Sequence, residues 1–198
     1  MPANDNDLKT IVIHARGGQG AVTASQIIVE AAYLGGNIID AHAYPSFGAE
    51  RRGAPIQAYA KLSTKEKIWD RSFIEHPAII LIFDETVLNQ EIASSLKENG
   101  ILIINSDKEP DYFVNKFNLS NNIEIIVANI TKLALDNDLV IDGNPIVNTP
   151  ILGLLAKALP ELTLQNLETI IKKRMNRELS ELNIKLIKEG YDLAKILH

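Results

Sequence analysis

The chain has 198 residues, of which 46% are hydrophobic and 23% are charged, and its formal net charge is −5. These values are close to globular averages and exclude collagen-like, coiled-coil and wholly disordered chains. The longest apolar run, residues 78–83, is far shorter than the roughly 20 residues of a membrane span, and charges of both signs are spread over both halves. We therefore predict neither a membrane nor a nucleic acid as a partner. The polar N-terminus has no signal pattern, which predicts a cytoplasmic protein.

The sequence contains no cysteine. It therefore forms no disulfide and supplies no thiolate to an iron–sulfur cluster or a zinc site. The four histidines show no metal-ligand spacing, and no acid–base or nucleophile constellation is present. We predict no metal site and no catalytic residue in this chain.

The first half of the chain begins with a polar segment, residues 1–8, which we expect to be a disordered arm. Residues 10–14 form a β-branched apolar run that ends at a glycine-rich turn. Small and apolar residues at helical spacing follow from Ala21, and residues 37–43 are typical of a second strand. This order of strand, glycine turn, helix and strand predicts a βαβ unit.

The middle of the chain opens with a loop, residues 44–54, rich in turn formers and arginine. Residues 56–62 alternate like a strand with one exposed face, and residues 67–69 are expected to return as its hairpin partner. The apolar run 78–83 indicates a buried central strand, after which Asp84 is expected to cap a helix over residues 85–99.

The second half repeats the alternation of strands and helices. Strands are predicted over residues 100–105 and 123–127, with an irregular segment between them, and helices over 129–136, 148–159, 164–175 and 178–197. The predicted fold is α/β, with three layers (α/β/α) around a mostly parallel mixed sheet. We predict a single domain over residues 9–198 that ends in a helical tail from about residue 161.

Two loops form the candidate binding site. Glycines at a strand-to-helix turn let backbone N–H groups approach an anion, and arginine adds a fixed positive charge. Three of the six arginines fall in two glycine-bearing loops, and the candidate residues are Arg16, Gly17, Gly18, Gln19, Gly20, Arg51 and Arg52. The alternatives are a turn that only packs helix on sheet and a solvated surface loop.

Other motifs have simpler explanations. The first loop does not match the dinucleotide fingerprint, which requires glycine or alanine at the position of Thr23, and it lacks the Gly-Lys-Ser/Thr of a phosphate-binding P-loop. His14 and His42, in neighbouring predicted strands, are expected to be hydrogen-bonded core residues. Asp84 and Glu85 follow a buried strand, and we favour a helix cap and a first-turn acid over a catalytic role.

Four motifs in order resemble the gamma subunit of 2-oxoacid:ferredoxin oxidoreductases. They are HARGGQG at residues 14–20, FGAERRGAP at 47–55, FDETVL at 83–88 and NTPILG at 148–153. The second motif is closer to the pyruvate branch of the family, although arginine at both positions 51 and 52 combines features of the pyruvate and 2-oxoglutarate forms. The resemblance covers nearly the whole chain.

The resemblance implies a subunit of an enzyme that decarboxylates a 2-oxoacid on thiamine diphosphate and transfers the acyl group to coenzyme A. It places the thiamine diphosphate, Mg and [4Fe–4S] clusters on partner chains of alpha, beta and delta (ferredoxin-like) type, with ferredoxin or flavodoxin as electron acceptor. This chain is then expected to bind no cofactor alone and to help form the coenzyme A cleft. A purely structural subunit and a stand-alone nucleotide-binding protein remain as alternatives.

Overall fold

The structure, a computed structural model, describes residues 7–46 and 52–198. Within these ranges the main sheet has seven strands in the spatial order β2-β3-β1-β4-β5-β6-β9. These strands are β1 Leu8–Arg16, β2 Asp40–Pro45, β3 Pro55–Ser63, β4 Ile79–Ile82, β5 Ile101–Asn105, β6 Glu124–Ala128 and β9 Lys195–Leu197. A small separate hairpin consists of β7 Val140–Ile141 and β8 Asn144–Pro145.

Helices cover both faces of this sheet. They are α1 Ala21–Leu34, α2 Gln90–Ser95, α3 Pro110–Phe117, α4 Ile130–Asp136, α5 Leu152–Ala158, α6 Leu164–Arg174 and α7 Arg177–Leu193, with a 3-10 helix at Glu85–Val87. One apolar cluster joins the sheet to α1, α4, α5, α6 and α7, and a second joins it to α2 and α3. None of the helices within the described ranges is long and apolar enough to cross a bilayer.

The central strands are apolar on both faces because helices cover both. In β4, Ile79 and Leu81 belong to the larger cluster, whereas Ile80 and Ile82 belong to the smaller one. The strands β1, β4, β5 and β6 pair in parallel, while β3 and β9 run in the opposite direction. The prediction of a three-layer α/β fold with a mostly parallel mixed sheet is confirmed.

The predicted hairpin between residues 56–62 and 67–69 is wrong. The strand β3 instead pairs antiparallel with β1 on one side and with β2 on the other, so neither of its edges is left for a hairpin partner. The segment after β3 is held by a side chain, because the Ile68 N–H donates to Asp40 Oδ2 at 2.7 Å. Consequently β1 and β2 are not neighbours, and His14 and His42 do not face each other across adjacent strands.

Three other predicted elements differ from the structure. The helix expected over residues 85–99 is divided in two, because the Asn89 side chain accepts the Ile92 N–H at 2.9 Å and begins a new helix. The expected irregular segment 106–122 contains α3, whose Phe113 and Phe117 are buried four residues apart. The last helix ends at Leu193, and β9 then pairs antiparallel with β6.

The boundaries of the predicted domain stay a prediction. Residues 1–6 of the expected arm lie outside the described residues, and β1 begins at Leu8. The C-terminal segment of the chain consists of α6 and α7 followed by the strand β9.

The helices α5 and α7 cross at two glycines. A Cβ atom at Gly153 would lie 2.1 Å from the Ile187 carbonyl oxygen, and one at Gly190 would lie 2.6 Å from the Pro150 carbonyl oxygen. Both contacts are with backbone atoms, which have little freedom to move in a packed interior. Close approach therefore explains why Gly190 is tolerated inside a helix, where glycine alone is unfavourable.

We predict that Gly153→Ala destabilises the chain. An alanine inside a helix usually stabilises by about 0.5–1 kcal/mol relative to glycine, but overpacking of a closed interface costs about 1–3 kcal/mol. Urea unfolding should show a lower free energy of unfolding for this variant. The control is Thr169→Ala on the exposed side of α6, which should change stability by less than about 0.5 kcal/mol. A Gly153→Ala chain at least as stable as wild type would contradict the packing argument.

Candidate functional site

The predicted glycine turn joins β1 to α1. Gly18 and Gly20 have φ values of 96° and 78°, a region in which side chains other than glycine are strained. The turn is closed by two hydrogen bonds, from Gln19 N to the Arg16 carbonyl oxygen at 3.0 Å and from Arg16 N to Gln19 Oε1 at 2.7 Å. Gly20 is the N-cap residue of α1, and it has no side chain with which to cap that helix end.

The structure brings the two predicted loops together. Gly17 N donates to the Ala54 carbonyl oxygen at 2.8 Å, and Gly53 N donates to the Gly17 carbonyl oxygen at 2.9 Å. These bonds place the segment before β3 directly against the glycine turn. Arg51 lies outside the described residues, whereas Arg52 is described.

The guanidinium of Arg16 is used inside the protein. Its Nε lies 3.2 Å from Asp84 Oδ2 and 3.1 Å from Thr86 Oγ1, its Nη2 donates to Thr86 Oγ1 at 2.5 Å, and its Nη1 donates to the Gly53 carbonyl oxygen at 3.0 Å. This one side chain therefore connects the ends of β1 and β4 with the segment before β3. Arg16 positions the loops and has few donors left for a ligand.

The carboxylate of Asp84 is held in its charged form by these partners. Burial alone would raise its pKa, but hydrogen bonds from Thr86 and the charge and hydrogen bond of Arg16 outweigh that effect and lower the pKa below its ordinary value. Asp84 also caps the 3-10 helix, as the sequence predicted for a helix at this position, by accepting the Thr86 N–H at 2.9 Å.

Arg52 is an exposed cation in the described part of the second loop. Its side chain is 75% exposed, and its Nη2 lies 3.9 Å from Asp142 Oδ2, itself 77% exposed, in the turn between β7 and β8. An exposed pair at that distance contributes little energy. The Arg52 side chain also passes close to the turn, because a Cβ at Gly18 would lie 3.7 Å from its Cγ. Arg52 is therefore free to contact a ligand.

Asn148 belongs to the same site, although sequence reasoning did not select it. A Cβ at Gly20 would lie 2.3 Å from Asn148 Nδ2, so a larger residue there would displace the Asn148 side chain in addition to being strained by its φ. The Thr149 hydroxyl donates to Asn148 Oδ1 at 3.2 Å. The fourth sequence motif thus packs against the first. The position of Asn148 in that fourth motif is the feature of the sequence that could have selected it.

A second ion pair lies beside the first at the carboxyl ends of β4 and β5. Glu85 pairs with Lys108 and accepts the Ser106 hydroxyl at 2.6 Å. Asp84 and Glu85 therefore form ion pairs with different basic side chains, and Asp84 also has the capping role that the sequence predicted. No group of three histidine, aspartate or glutamate side chains in residues 7–46 and 52–198 has the arrangement of a metal site.

Comparison with known proteins identifies the family. The sequence model of the pyruvate ferredoxin/flavodoxin oxidoreductase family matches residues 10–193. The common gamma subunit of the pyruvate/ketoisovalerate oxidoreductases of Pyrococcus abyssi is 36% identical over 187 residues, which cover 94% of this chain and 97% of that one. The chain belongs to the pyruvate ferredoxin/flavodoxin oxidoreductase family.

Two further relatives agree in sequence and in fold. Pyruvate synthase subunit PorC of Methanosarcina barkeri is 36% identical over 83% of this chain and 85% of its own. The crystal structure of pyruvate oxidoreductase subunit PORC from Thermotoga maritima superposes with a TM-score of 0.81 at 32% identity, covering 97% of this chain and 99% of that one. The resemblance inferred from four motifs is confirmed, and these members of the family are subunits of enzymes.

We predict that Asp84→Asn destabilises the fold in a pH-dependent way. Because the pKa of Asp84 is lowered in the folded chain, its carboxylate stabilises the fold above the ordinary aspartate pKa, and this contribution is lost as the pH falls through the folded value. The variant should lose about 1–2 kcal/mol near neutral pH.

The measurement is urea unfolding of both chains from about pH 7 down to about pH 3. The difference between them should be widest at neutral pH and should close in acid. Asp107→Asn, at an exposed aspartate on the same edge of the sheet, is the control and should change stability by less than about 0.5 kcal/mol. A difference that is constant with pH would show that the charge of Asp84 is not what stabilises the loops.

Proposed function

We propose that this chain is the gamma subunit of a multi-subunit 2-oxoacid:ferredoxin oxidoreductase that uses pyruvate and forms acyl-coenzyme A. The near-complete coverage of a gamma-subunit relative at 36% identity supports this assignment, as does the similarity to a pyruvate synthase subunit. It leaves the stand-alone nucleotide-binding alternative without a supporting observation. We propose the cytoplasm as the place where the complex works.

In this proposal the redox chemistry belongs to partner chains. The sequence has no cysteine, so it has no ligands for an iron–sulfur cluster. Alpha, beta and delta-type subunits would hold thiamine diphosphate, Mg and the [4Fe–4S] clusters, and electrons would leave to ferredoxin or flavodoxin. The thiamine group supplies decarboxylation of the 2-oxoacid, and coenzyme A accepts the acyl group.

The contribution of this chain is an anion-accepting surface for the phosphates of coenzyme A. The observation that carries it is the contact between the two glycine-bearing loops, which places the stem of the exposed Arg52 side chain against the glycine turn that begins α1. Backbone N–H groups of Gly18 and Gly20 and the positive end of a helix favour a phosphate there, and arginine binds phosphate through parallel hydrogen bonds.

The candidate residues have different roles in this surface. Arg16 and Gln19 position the loops through the hydrogen bonds described above, and Gly17 contributes its backbone to the joint. Arg52 is proposed to contact the phosphates. Arg51 is proposed as a second contact because it precedes Arg52 in the sequence. The second candidate function is a structural role for the same loops in the assembled enzyme. The hydrogen bonds of Arg16 within this chain support it.

We predict that Arg52→Ala and Arg51→Ala each raise the KM for coenzyme A by roughly tenfold, the loss expected for one charge-assisted phosphate contact. The kcat at saturating coenzyme A and the KM for the 2-oxoacid should stay unchanged, because neither arginine is expected near the reacting carbon. The measurement is steady-state kinetics on the reassembled complex under anaerobic conditions, with size-exclusion chromatography to verify assembly.

Arg177→Ala is the matched control. This arginine is 92% exposed on α7 and pairs with Glu181, four residues on, so the KM for coenzyme A should not change. An unchanged KM in both loop variants, with the complex intact, would remove the ligand role. Loss of assembly with normal kinetics in the remaining complex would leave only the structural role.

A further inference from the structure

A groove opens on the sheet face that carries α2 and α3, beside β1 and β3. It consists of two cavities of about 360 and 260 Å³ that share His14, Gln57, Asn89 and Ile92. Strand residues lie on one side of it, the segment before β4 lies on another, and the first turns of α2 close it. This groove lies outside the set of residues assigned to coenzyme A.

His14 lines both cavities of this groove. The residue is only 6% exposed, and its ring nitrogens form no hydrogen bond within the described part of the chain. Neither ring nitrogen is among the described side-chain atoms that are fully buried without a partner, so the ring is accessible from the groove. Burial also lowers the pKa of His14 to about 4, so that the ring is neutral near pH 7 and one nitrogen is an acceptor.

Two unpaired carboxylates line the same groove. Glu75 precedes β4 and Glu91 lies in the first turn of α2; both are exposed, and neither forms a salt bridge with another described residue. Among the described residues that line the two cavities there is no lysine or arginine. The polar side chains beside them are partly used, because Gln57 Oε1 accepts the Tyr59 hydroxyl at 2.5 Å and Asn89 Oδ1 caps α2.

The described part of the groove therefore offers a neutral imidazole acceptor and two negative charges without a positive charge beside them. We propose that it is a docking site for a lysine or arginine side chain presented by another subunit of the complex. The cationic group would enter between Glu75 and Glu91 and donate a hydrogen bond to His14. Charge complementarity favours a basic segment of a different chain, since this chain carries a net charge of −5. The inference rests on the proposed function in that it requires partner subunits.

The first experiment is carboxyl footprinting. The free chain and the purified complex are treated with a carbodiimide and glycine ethyl ester, which modify accessible carboxylates, and are then analysed by mass spectrometry. Labelling of Glu75 and Glu91 should fall in the complex, while Glu178 and Asp192, exposed on α7 at the opposite face, serve as references. Equal labelling of Glu75 and Glu91 in the free chain and the complex would overturn the proposal, as would equal protection of the reference residues.

The second experiment measures binding of variants to the remaining subunits. The double variant Glu75→Gln with Glu91→Gln should bind roughly tenfold more weakly than wild type, and its affinity should depend less on salt. The control, Glu178→Gln with Asp192→Asn, makes the same change in net charge and should bind like wild type. His14→Phe removes the acceptor and should weaken binding, whereas His14→Gln keeps an acceptor and should restore part of it.

The outcomes separate this inference from the proposed function. If the wild-type chain assembles but the complex has no oxidoreductase activity, the proposed function fails while the groove variants still decide the docking site. If an active complex forms and the glutamine variants bind as tightly as wild type, the docking site is wrong and the proposed function stands. Protection of Glu75 and Glu91 in the isolated chain at concentrations at which it dimerises would assign the groove to a second copy and overturn the proposal. If His14→Phe fails to fold, the exposed glutamate pair still gives the answer.

Discussion

The guanidinium of Arg16 is the interaction on which the candidate site depends. It connects the end of β1 to Asp84 and Thr86 beyond β4 and to the Gly53 carbonyl before β3. The side chains of Arg16 and Asp84 are 34% and 23% exposed, so water screens the pair and its contribution to stability is smaller than that of a fully buried one. Its main effect is geometric, because the planar guanidinium fixes three loop segments relative to each other.

The antiparallel strand β3 explains how these segments meet. Since β3 runs opposite to β1, its first residue, Pro55, pairs with the last residue of β1, Arg16. The loop before β3 therefore lies at the carboxyl end of β1, next to the turn that begins α1. In α/β proteins that edge is where ligands bind, because loops and helix N-termini converge there. Inserting β3 between β1 and β2 thus places a second arginine-bearing loop at this edge.

The sequence predicted what depends on local pattern. The glycine turn at residues 17–20 and the buried strand 78–83 were predictable because turn chemistry and apolar runs act locally. The pairing of β3 was not predictable, because the alternating pattern of a strand does not determine which strands pair with its two edges. The contact of Asn148 with Gly20 joins residues far apart in the chain, and only the resemblance of both motifs to one family connected them. The sequence did not predict α3, because its two phenylalanines at helical spacing lie in a segment that is otherwise mostly polar.

The strand β1 relates the two functional surfaces physically. Side chains two residues apart in a strand lie on the same face, so His14 and Arg16 both face the side of the sheet covered by α2 and α3. His14 lines the acidic groove, and Arg16, one step further toward the edge, holds the loops that present Arg52. A shift of one residue in the pairing of β1 would move both side chains to the opposite face, into the larger apolar cluster. His14 and Arg16 in the first motif lie two residues apart, which is the period of the strand, and they therefore share a face. The hydrogen bonds of Arg16 also fix the end of β1, next to which the groove opens.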